Sequence, residues 1–412
     1  VNPPTPVIDD PAGGTPSPAR PVRVSHVITR LIVGGAQENT LASVLGLGRR
    51  PEWQVELISG PTRGPEGSLE PLARSVPGLL KLEPSLARPV HPPMDLLAYL
   101  RLRARFRRTA PRIVHTHSGK AGILGRLAAR HVGVPVVIHT IHGPSFGPFQ
   151  GRLANAAFRA AERMAGRCTD HFVVVAEAMA RQYLAAGIGV PDQYTRVFSG
   201  FDLGPFLGAR PDPALASRLG IRPGDFVVGK IARLFRLKGH DDLFAAAPAI
   251  VRRVPNVRFL LLGDGPWRAR FEALAESTPE LAGRFLFAGL VPPVEVHRYL
   301  ALMDVLVHLS RREGLARVLP QALACAKPIV AVDCDGAGEV CRDGETGFLI
   351  GPEDREVLAD RVAKLAGDPA LREDLGRRGR SWVAERFSES AMVDALDALY
   401  RRLLGAGEVP FR

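Results

Sequence analysis

Short runs of β-branched and aliphatic residues alternate with helix-forming segments along most of the chain, and this alternation limits the fold more than any other feature. VRVSHVI, VELIS, RIVHTHS, VPVVIHTIHG, HFVVVAE and TRVFSG make a first series, with helical segments between most of them. DFVVGKIARL, VRFLLLGDG, RFLFAGLV, VLVHLS, PIVAVD and TGFLI make a second. Apolar strands separated by helices predict parallel sheets covered on both faces. Between the two series, FDLGPFLGARPDPALASRLGI loosens into Gly, Pro and Asp and reads as a linker. The expected class is α/β, with two Rossmann-like domains facing each other across a cleft, where ligands bind outside the carboxyl ends of the strands. The expected boundaries are a first domain at 21–203, a second at 204–385, and a C-terminal segment at 386–412. The helix of that last segment, roughly Ala391 to Leu404, is expected to return towards the first domain. Residues 1–20, rich in Pro, Gly and small polar residues, are expected to be disordered.

Composition narrows the class further. At 412 residues and 46% hydrophobic content the chain has material for two cores. No apolar run approaches the roughly 18 residues of a membrane-spanning helix, and no charged and apolar leader is evident. Cys168, Cys325, Cys334 and Cys341 lack metal-ligand spacing and read as reduced thiols in a cytoplasmic protein. The net charge of +12 raises nucleic acid as a partner, but the arginines are scattered and aromatic residues are only 6%, too few for a base-stacking platform. Nucleic-acid binding is therefore not expected. GDGP at Gly263 to Pro266 is a tight strand-end turn, not a dinucleotide fingerprint.

Chemistry concentrates between Ser310 and Val340. Glu313 opens a loop, Pro320 is read as starting a helix, and Gln321 follows it; IVAVDC and a Gly-rich turn ending in Glu339 come next. Arg233 and Lys238 sit at another strand-to-loop junction. A helix end offers free N–H groups and partial positive charge, and two cations can neutralise two phosphates, which suits a nucleoside diphosphate.

Four blocks then resemble one family: GGAQ at 34–37, HTHSGKAGILGRLAAR through VIHTIHG at 115–143, IARLFRLKGHDDL at 231–243, and EGLARVLPQALACAKPIVAVDCDGAGEVCRDGETGFLI at 313–350. In this order and spacing they resemble retaining glycosyltransferases of the GT-B fold, family four (glycosyl transferases group 1). The resemblance implies that Arg233 and Lys238 contact the donor diphosphate, where charge builds as the glycosidic bond breaks. It implies that Glu313 lies beside the donor sugar, and that the backbone of Gly314, Leu315 and Ala316 reaches the sugar and diphosphate. Gly34 and Gly35 would approach the diphosphate from the first domain, Leu290 would meet the base with its backbone, and Glu339 would play a supporting part. Where the family has a second glutamate for the ribose hydroxyls, this chain has Gln321, which can accept from one hydroxyl and donate to the other.

His115, His117, His139 and His142 lack an accompanying carboxylate or cysteine at zinc spacing, so no metal is expected. Some of them are expected in the core, bonded to backbone, with His142 facing the cleft. There the resemblance makes it a contact to the donor sugar, and catalytic with Glu313, Arg233 and Lys238. The helical stretch 95–108, with Leu96, Leu97 and Leu100 among arginines, reads either as a solvated amphipathic helix or as a docking face for an anionic membrane carrying a lipid-linked acceptor.

The resemblance implies a metal-independent transferase with a UDP-sugar donor and an unknown glycan or lipid-linked acceptor. The second block points to bacterial cell-surface polysaccharide or glycolipid synthesis. Two rivals stand beside it: another GT-B enzyme such as a nucleotide-sugar epimerase, and a non-catalytic sugar-nucleotide-binding protein.

Overall fold

The computed structural model describes residues 21–64, 67–117, 119–147 and 149–406. The stretch 1–20 and the end beyond 406 lie outside these residues, and so does the disorder expected for 1–20.

Two all-parallel sheets organise the described residues. The first has seven strands: β1 (Val22–Ile28), β2 (Trp53–Ser59), β3 (Leu80–Leu82), β4 (Ile113–His117), β5 (Val136–Ile141), β6 (His171–Val174) and β7 (Tyr194–Arg196). Their order is β3-β2-β1-β4-β5-β6-β7. The second has six: β8 (Phe226–Ile231), β9 (Val257–Leu262), β10 (Phe285–Gly289), β11 (Val305–His308), β12 (Ile329–Val332) and β13 (Gly347–Ile350), ordered β10-β9-β8-β11-β12-β13. Strands such as VLVH and IVAV are buried along their whole length, as helices on both faces require. The order reverses between β1 and β4 and again between β8 and β11. Loops leaving these four strands therefore splay to opposite sides and open a crevice at each carboxyl edge. The three-residue edge strand β3 was not evident in the sequence; it is too short to carry a period.

The helix Glu389–Ala406 packs back on the first sheet. Met392, Val393, Leu396, Leu399 and Tyr400, at helical spacing, bury against Val24, Leu47, Trp53, Ile113, Val136 and Ile138. Asp397 ties it down by accepting from Trp53 Nε1 at 2.6 Å and pairing with Arg50 at 2.8 Å. The chain thus crosses between the sheets twice. The two crossings lie side by side: the Phe201 N–H donates to the Phe387 carbonyl at 3.0 Å, and the Phe198 and Phe387 rings stack 4.5 Å apart. Gly200 allows this approach, since a Cβ there would meet the Ser388 oxygen at 2.5 Å.

Beneath that helix lie His26, His115 and His117, and on the other face of the sheet His139, all buried. Burial lowers the pKa of His26 to about 3 and of His142 to about 4, and holds His115, His117 and His139 well below the usual imidazole range. In the unfolded chain the same groups take up protons below about pH 6.5. Between the two ranges the unfolded state binds more protons, so stability must fall as pH drops, by about 1.4 kcal/mol per pH unit for each histidine kept neutral. Urea unfolding measured against pH should show stability collapsing below about pH 6.5, above the carboxylate range. A stability that stays level down to about pH 5 would mean these imidazoles are hydrated or charged in the fold.

Candidate active site

The wall contributed by the second domain is built from the loops after β8 and β11. Gly239 has φ +68°, and a Cβ there would lie 1.9 Å from the Leu309 oxygen, so only glycine lets the two loops meet. The Leu237 carbonyl accepts from the Arg311 N–H at 2.9 Å and from Ser310 Oγ at 3.3 Å. This brings the Lys238 ammonium onto Glu313 Oε1, which also accepts from Ser310 Oγ at 3.0 Å. Burial by itself would raise the Glu313 carboxyl, but the Lys238 charge and the hydrogen bonds outweigh it and hold the group below the usual range. Glu313 is thus an anion with a cation already in contact.

Behind the pair lie two groups with no sequence signal. Burial, with Lys238 nearby, lowers Lys230 on β8 to about 7, and burial lowers His308 on β11 to about 4. Each sits inside a strand, where nothing in the sequence sets it apart from structural residues.

The predicted residues fall into two neighbouring cavities. Arg233 and Leu290 line one of about 640 Å³ together with Gly263, Asp264 and Gly265. The Arg233 guanidinium sits 5.4 Å over the Phe235 ring, and Leu290 is an exposed rim residue. Lys238, Glu313 and Gly314 line the other, of about 910 Å³, opposite His142, Gly143 and Lys120 of the first domain. Leu315 is buried and Ala316 half-buried, so backbone groups are what they could offer a ligand. The helix here spans Val318–Ala324, two residues earlier than Pro320 suggested. Pro320 falls in the first turn, where its missing N–H would have had no intrahelical partner. Gln321 is half-buried in that helix, lines neither cavity, and its side chain makes no hydrogen bond among the described residues.

The domains touch at the site itself. A Cβ on Gly314 would stand 1.9 Å from the His142 carbonyl oxygen and 3.1 Å from Gly143 Cα, so glycine is required for this closeness. Arg312 donates to the Pro144 carbonyl at 2.5 Å, with its guanidinium 3.1 Å over the Phe149 ring. Asp335 Oδ2 accepts the Glu313 N–H at 2.8 Å while its Oδ1 accepts from Gln182 Nε2 at 2.6 Å. Arg317 pairs with Glu38, and its Cδ would lie 3.4 Å from a Cβ on Gly35, which places the Gly34–Gly35 turn against the second domain. Glu339 accepts from the Ala178 N–H at 3.0 Å and from Arg196 at 3.2 Å, so its part is to join the domains. Arg312, Asp335 and Arg317 were missed in the sequence because their partners are distant in the chain.

The histidines differ from expectation in one respect. His115, His117 and His139 are in the core; the ring partners of His115 and His117 are side chains and not backbone, while His139 meets both the hydroxyl and the backbone of Thr116. His139 bonds Thr116, His115 bonds Thr140 and Tyr400, and His117 Nδ1 lies 3.1 Å from His142 Nε2. Buried imidazoles on neighbouring strands find each other before they find a peptide group, because β-sheet pairing has already used the peptide groups.

Two parallel sheets facing across a cleft, with a lysine–glutamate pair on one wall and an imidazole on the other, define a GT-B glycosyltransferase. The chain belongs to the glycosyl transferases group 1. The model of that family matches residues 212–382, and the glycosyl transferase 4-like domain matches residues 34–199. The alpha-D-kanosaminyltransferase of Streptomyces kanamyceticus is 30% identical over 322 residues, 75% of this chain and 82% of that protein. An Escherichia coli enzyme, UDP-Gal:alpha-D-GlcNAc-diphosphoundecaprenol alpha-1,3-galactosyltransferase, is 26% identical over 320 residues, 77% of this chain and 82% of its own. Among solved structures, Anabaena HepE in complex with UDP-glucose superposes with a TM-score of 0.76 at 20% identity, covering 92% of this chain and 99% of that one.

Three substitutions at two positions probe this geometry. Gly314→Ala should push the domains apart at His142 and lower kcat at least about tenfold, with a thermal midpoint close to wild type because opening relieves the clash. Lys238→Ala should cost about a hundredfold or more in kcat/KM, with Lys238→Arg recovering part of it. Steady-state kinetics alongside thermal melts of the three proteins check both.

Proposed function

We propose that this enzyme moves a sugar from a UDP-sugar to an acceptor hydroxyl with retention of anomeric configuration and without a metal ion. The observation that carries this reading is the Lys238–Glu313 pair facing His142 across a cavity that both domains line. Lys238, with Arg233 in the adjoining cavity, suits the two phosphates of the donor. Glu313 and His142, held on opposite walls, suit the hydroxyls of its sugar. Burial keeps His142 neutral near pH 7, so it offers the sugar one N–H or one lone pair and no charge. The UDP-sugar follows from the ligand and donor named for HepE and for the galactosyltransferase.

In the step itself the donor C1–O bond to the diphosphate breaks and the acceptor oxygen bonds C1 from the same face. The acceptor proton passes to the departing phosphate oxygen, and the cations balance the charge left on it. Closure of the domains keeps water from taking the acceptor's place.

For the acceptor, the relative acting on a diphosphoundecaprenol-linked sugar supports a glycan or lipid-linked acceptor of a bacterial cell surface. No described helix is long and apolar enough to cross a membrane. The helix Pro92–Thr109 turns Leu96, Leu97 and Leu100 to solvent, while Ala98, Leu102 and Phe106 form its core face. Arg101 and Arg105 are occupied by Glu83 and Glu56, at 3.0 and 2.5 Å. The exposed leucines therefore supply most of what this face would bring to a lipid surface, with Arg107 and Arg108 beside them. Flotation with anionic liposomes at physiological salt should recover the wild-type protein and lose it on Leu96→Ser/Leu100→Ser; no recovery of wild type removes the membrane from the proposal.

A panel of UDP-, GDP- and ADP-sugars, with and without chelator, tests the donor and the metal. UDP-sugar turnover indifferent to chelator, giving an α-linked product by NMR from an α-linked donor, is expected. A β-linked product or loss of turnover with chelator would overturn the corresponding part, and epimerised donor without transfer would favour the epimerase. Gln321→Glu should stay within about tenfold of wild type, since the side chain at this position lines neither cavity.

A further inference from the structure

Tyr400, on the last helix, is joined to the active site by a chain of buried imidazoles. Its hydroxyl lies 3.2 Å from His26 Nε2; His26 Nδ1 lies 2.9 Å from His117 Nε2; His117 Nδ1 lies 3.1 Å from His142 Nε2. A branch runs the other way, from the Tyr400 hydroxyl to His115 Nδ1 at 2.6 Å and from His115 Nε2 to Thr140 Oγ1 at 2.6 Å. The sheet makes this possible. β1 and β4 pair His26 with His115, β4 and β5 pair His117 with Thr140, and two-residue spacing puts the side chains on one face. His26, His115 and His117 offer nitrogens within 4.8 Å of one another, a spacing that could hold a metal ion. Yet all six of their ring nitrogens already have a hydrogen-bond partner.

We propose that Tyr400, His26 and His117 are positioning residues that fix the tautomer of His142, so that His142 presents Nδ1–H to the donor sugar. The role assigned to His142 rests on the function proposed above. The chain itself rests on the hydrogen-bond geometry and on the neutrality that burial gives its imidazoles.

The counting runs along the bonds. All four imidazoles are neutral near pH 7, so each carries one proton, and every link of the chain needs one. Fixing one end then fixes every ring. In one arrangement Thr140 O–H donates to His115 Nε2, and His115 Nδ1–H donates to the Tyr400 oxygen. Tyr400 O–H donates to His26 Nε2, His26 Nδ1–H to His117 Nε2, and His117 Nδ1–H to His142 Nε2. His142 is left with Nδ1–H, which has no partner among the described residues, while the ring lines the cleft. In the reverse arrangement every arrow turns, His142 offers a lone pair, and Thr140 accepts from His115 at the far end. The Thr140 hydroxyl proton then has no acceptor among the described residues; Thr140 borders the same cavity but is only 3% exposed, whereas His142 is half-buried. Burying an unsatisfied donor is the more costly choice, so the forward arrangement wins. The last helix thereby determines whether the cleft imidazole gives or receives a hydrogen bond.

Full-length protein labelled with ¹⁵N-histidine tests this by NMR, which distinguishes protonated from unprotonated ring nitrogens. In wild type, His26, His117 and His142 should each show protonated Nδ1 and unprotonated Nε2. Tyr400→Phe keeps the ring but removes the hydroxyl; it should turn the His142 signals into a mixture of tautomers and lower kcat about tenfold at unchanged donor KM. Trp53→Phe loosens the packing around Tyr400 from outside the chain and should change neither. Unmoved histidine signals in Tyr400→Phe, a wild-type His142 protonated at Nε2, or one equivalent of zinc in the purified protein would overturn the proposal. Full turnover by His142→Ala would overturn its role in the reaction, a different failure that leaves the NMR result to be judged separately.

Discussion

The return of the last helix to the first sheet is the constraint from which much else follows. Its apolar stripe, from Met392 to Tyr400, belongs to the core beneath β1, β4 and β5 and cannot be given up without exposing Val24, Ile113 and Val136. To reach that place the chain must cross from the second domain back to the first, beside the outward crossing. Phe198, Phe201 and Phe387 pack the two crossings together. With both connections at one edge, the carboxyl ends of the two sheets face each other and the loops that bear Lys238, Glu313 and His142 share a cleft.

Electrostatics divides the site into two unlike halves. The second domain contributes charge: Lys238 held on Glu313, Asp335 beneath it, and Lys230 buried behind. The first contributes the His142 imidazole, which burial keeps neutral, beside Lys120 already paired with Asp95. A diphosphate sugar has the same division, with anionic phosphates at one end and hydroxyls at the other. Burial thus tunes both walls, favouring the neutral form wherever no counter-charge is within reach.

Much of this could be read in the sequence. Twelve of the thirteen strands appear as apolar runs, because a parallel strand buried on both faces must be apolar along its length. Glu313, Lys238 and His142 were legible because glycines and turn residues set them off in motifs of fixed spacing. Partners supplied from far along the chain were not legible. Glu339 looked like a neighbour of the donor turn and instead joins the domains through Ala178 and Arg196. Gln321, expected at the ribose, lines neither cavity in this arrangement. His26 and Tyr400 gave no signal at all, since one is a polar residue in a strand and the other an aromatic residue on a helix's apolar stripe.

The sequence by itself determined the local alternation, the two-domain α/β class and the residue types at the donor-site loops, since these depend on periodicity and short-range spacing. Only the tertiary structure decided which of those residues meet. It set Gly314 against the His142 carbonyl, and it linked Tyr400 to the cleft through three histidines from two other strands and a loop. Such contacts join positions as much as 374 residues apart, and their distances exist only once both sheets and the returning helix have packed.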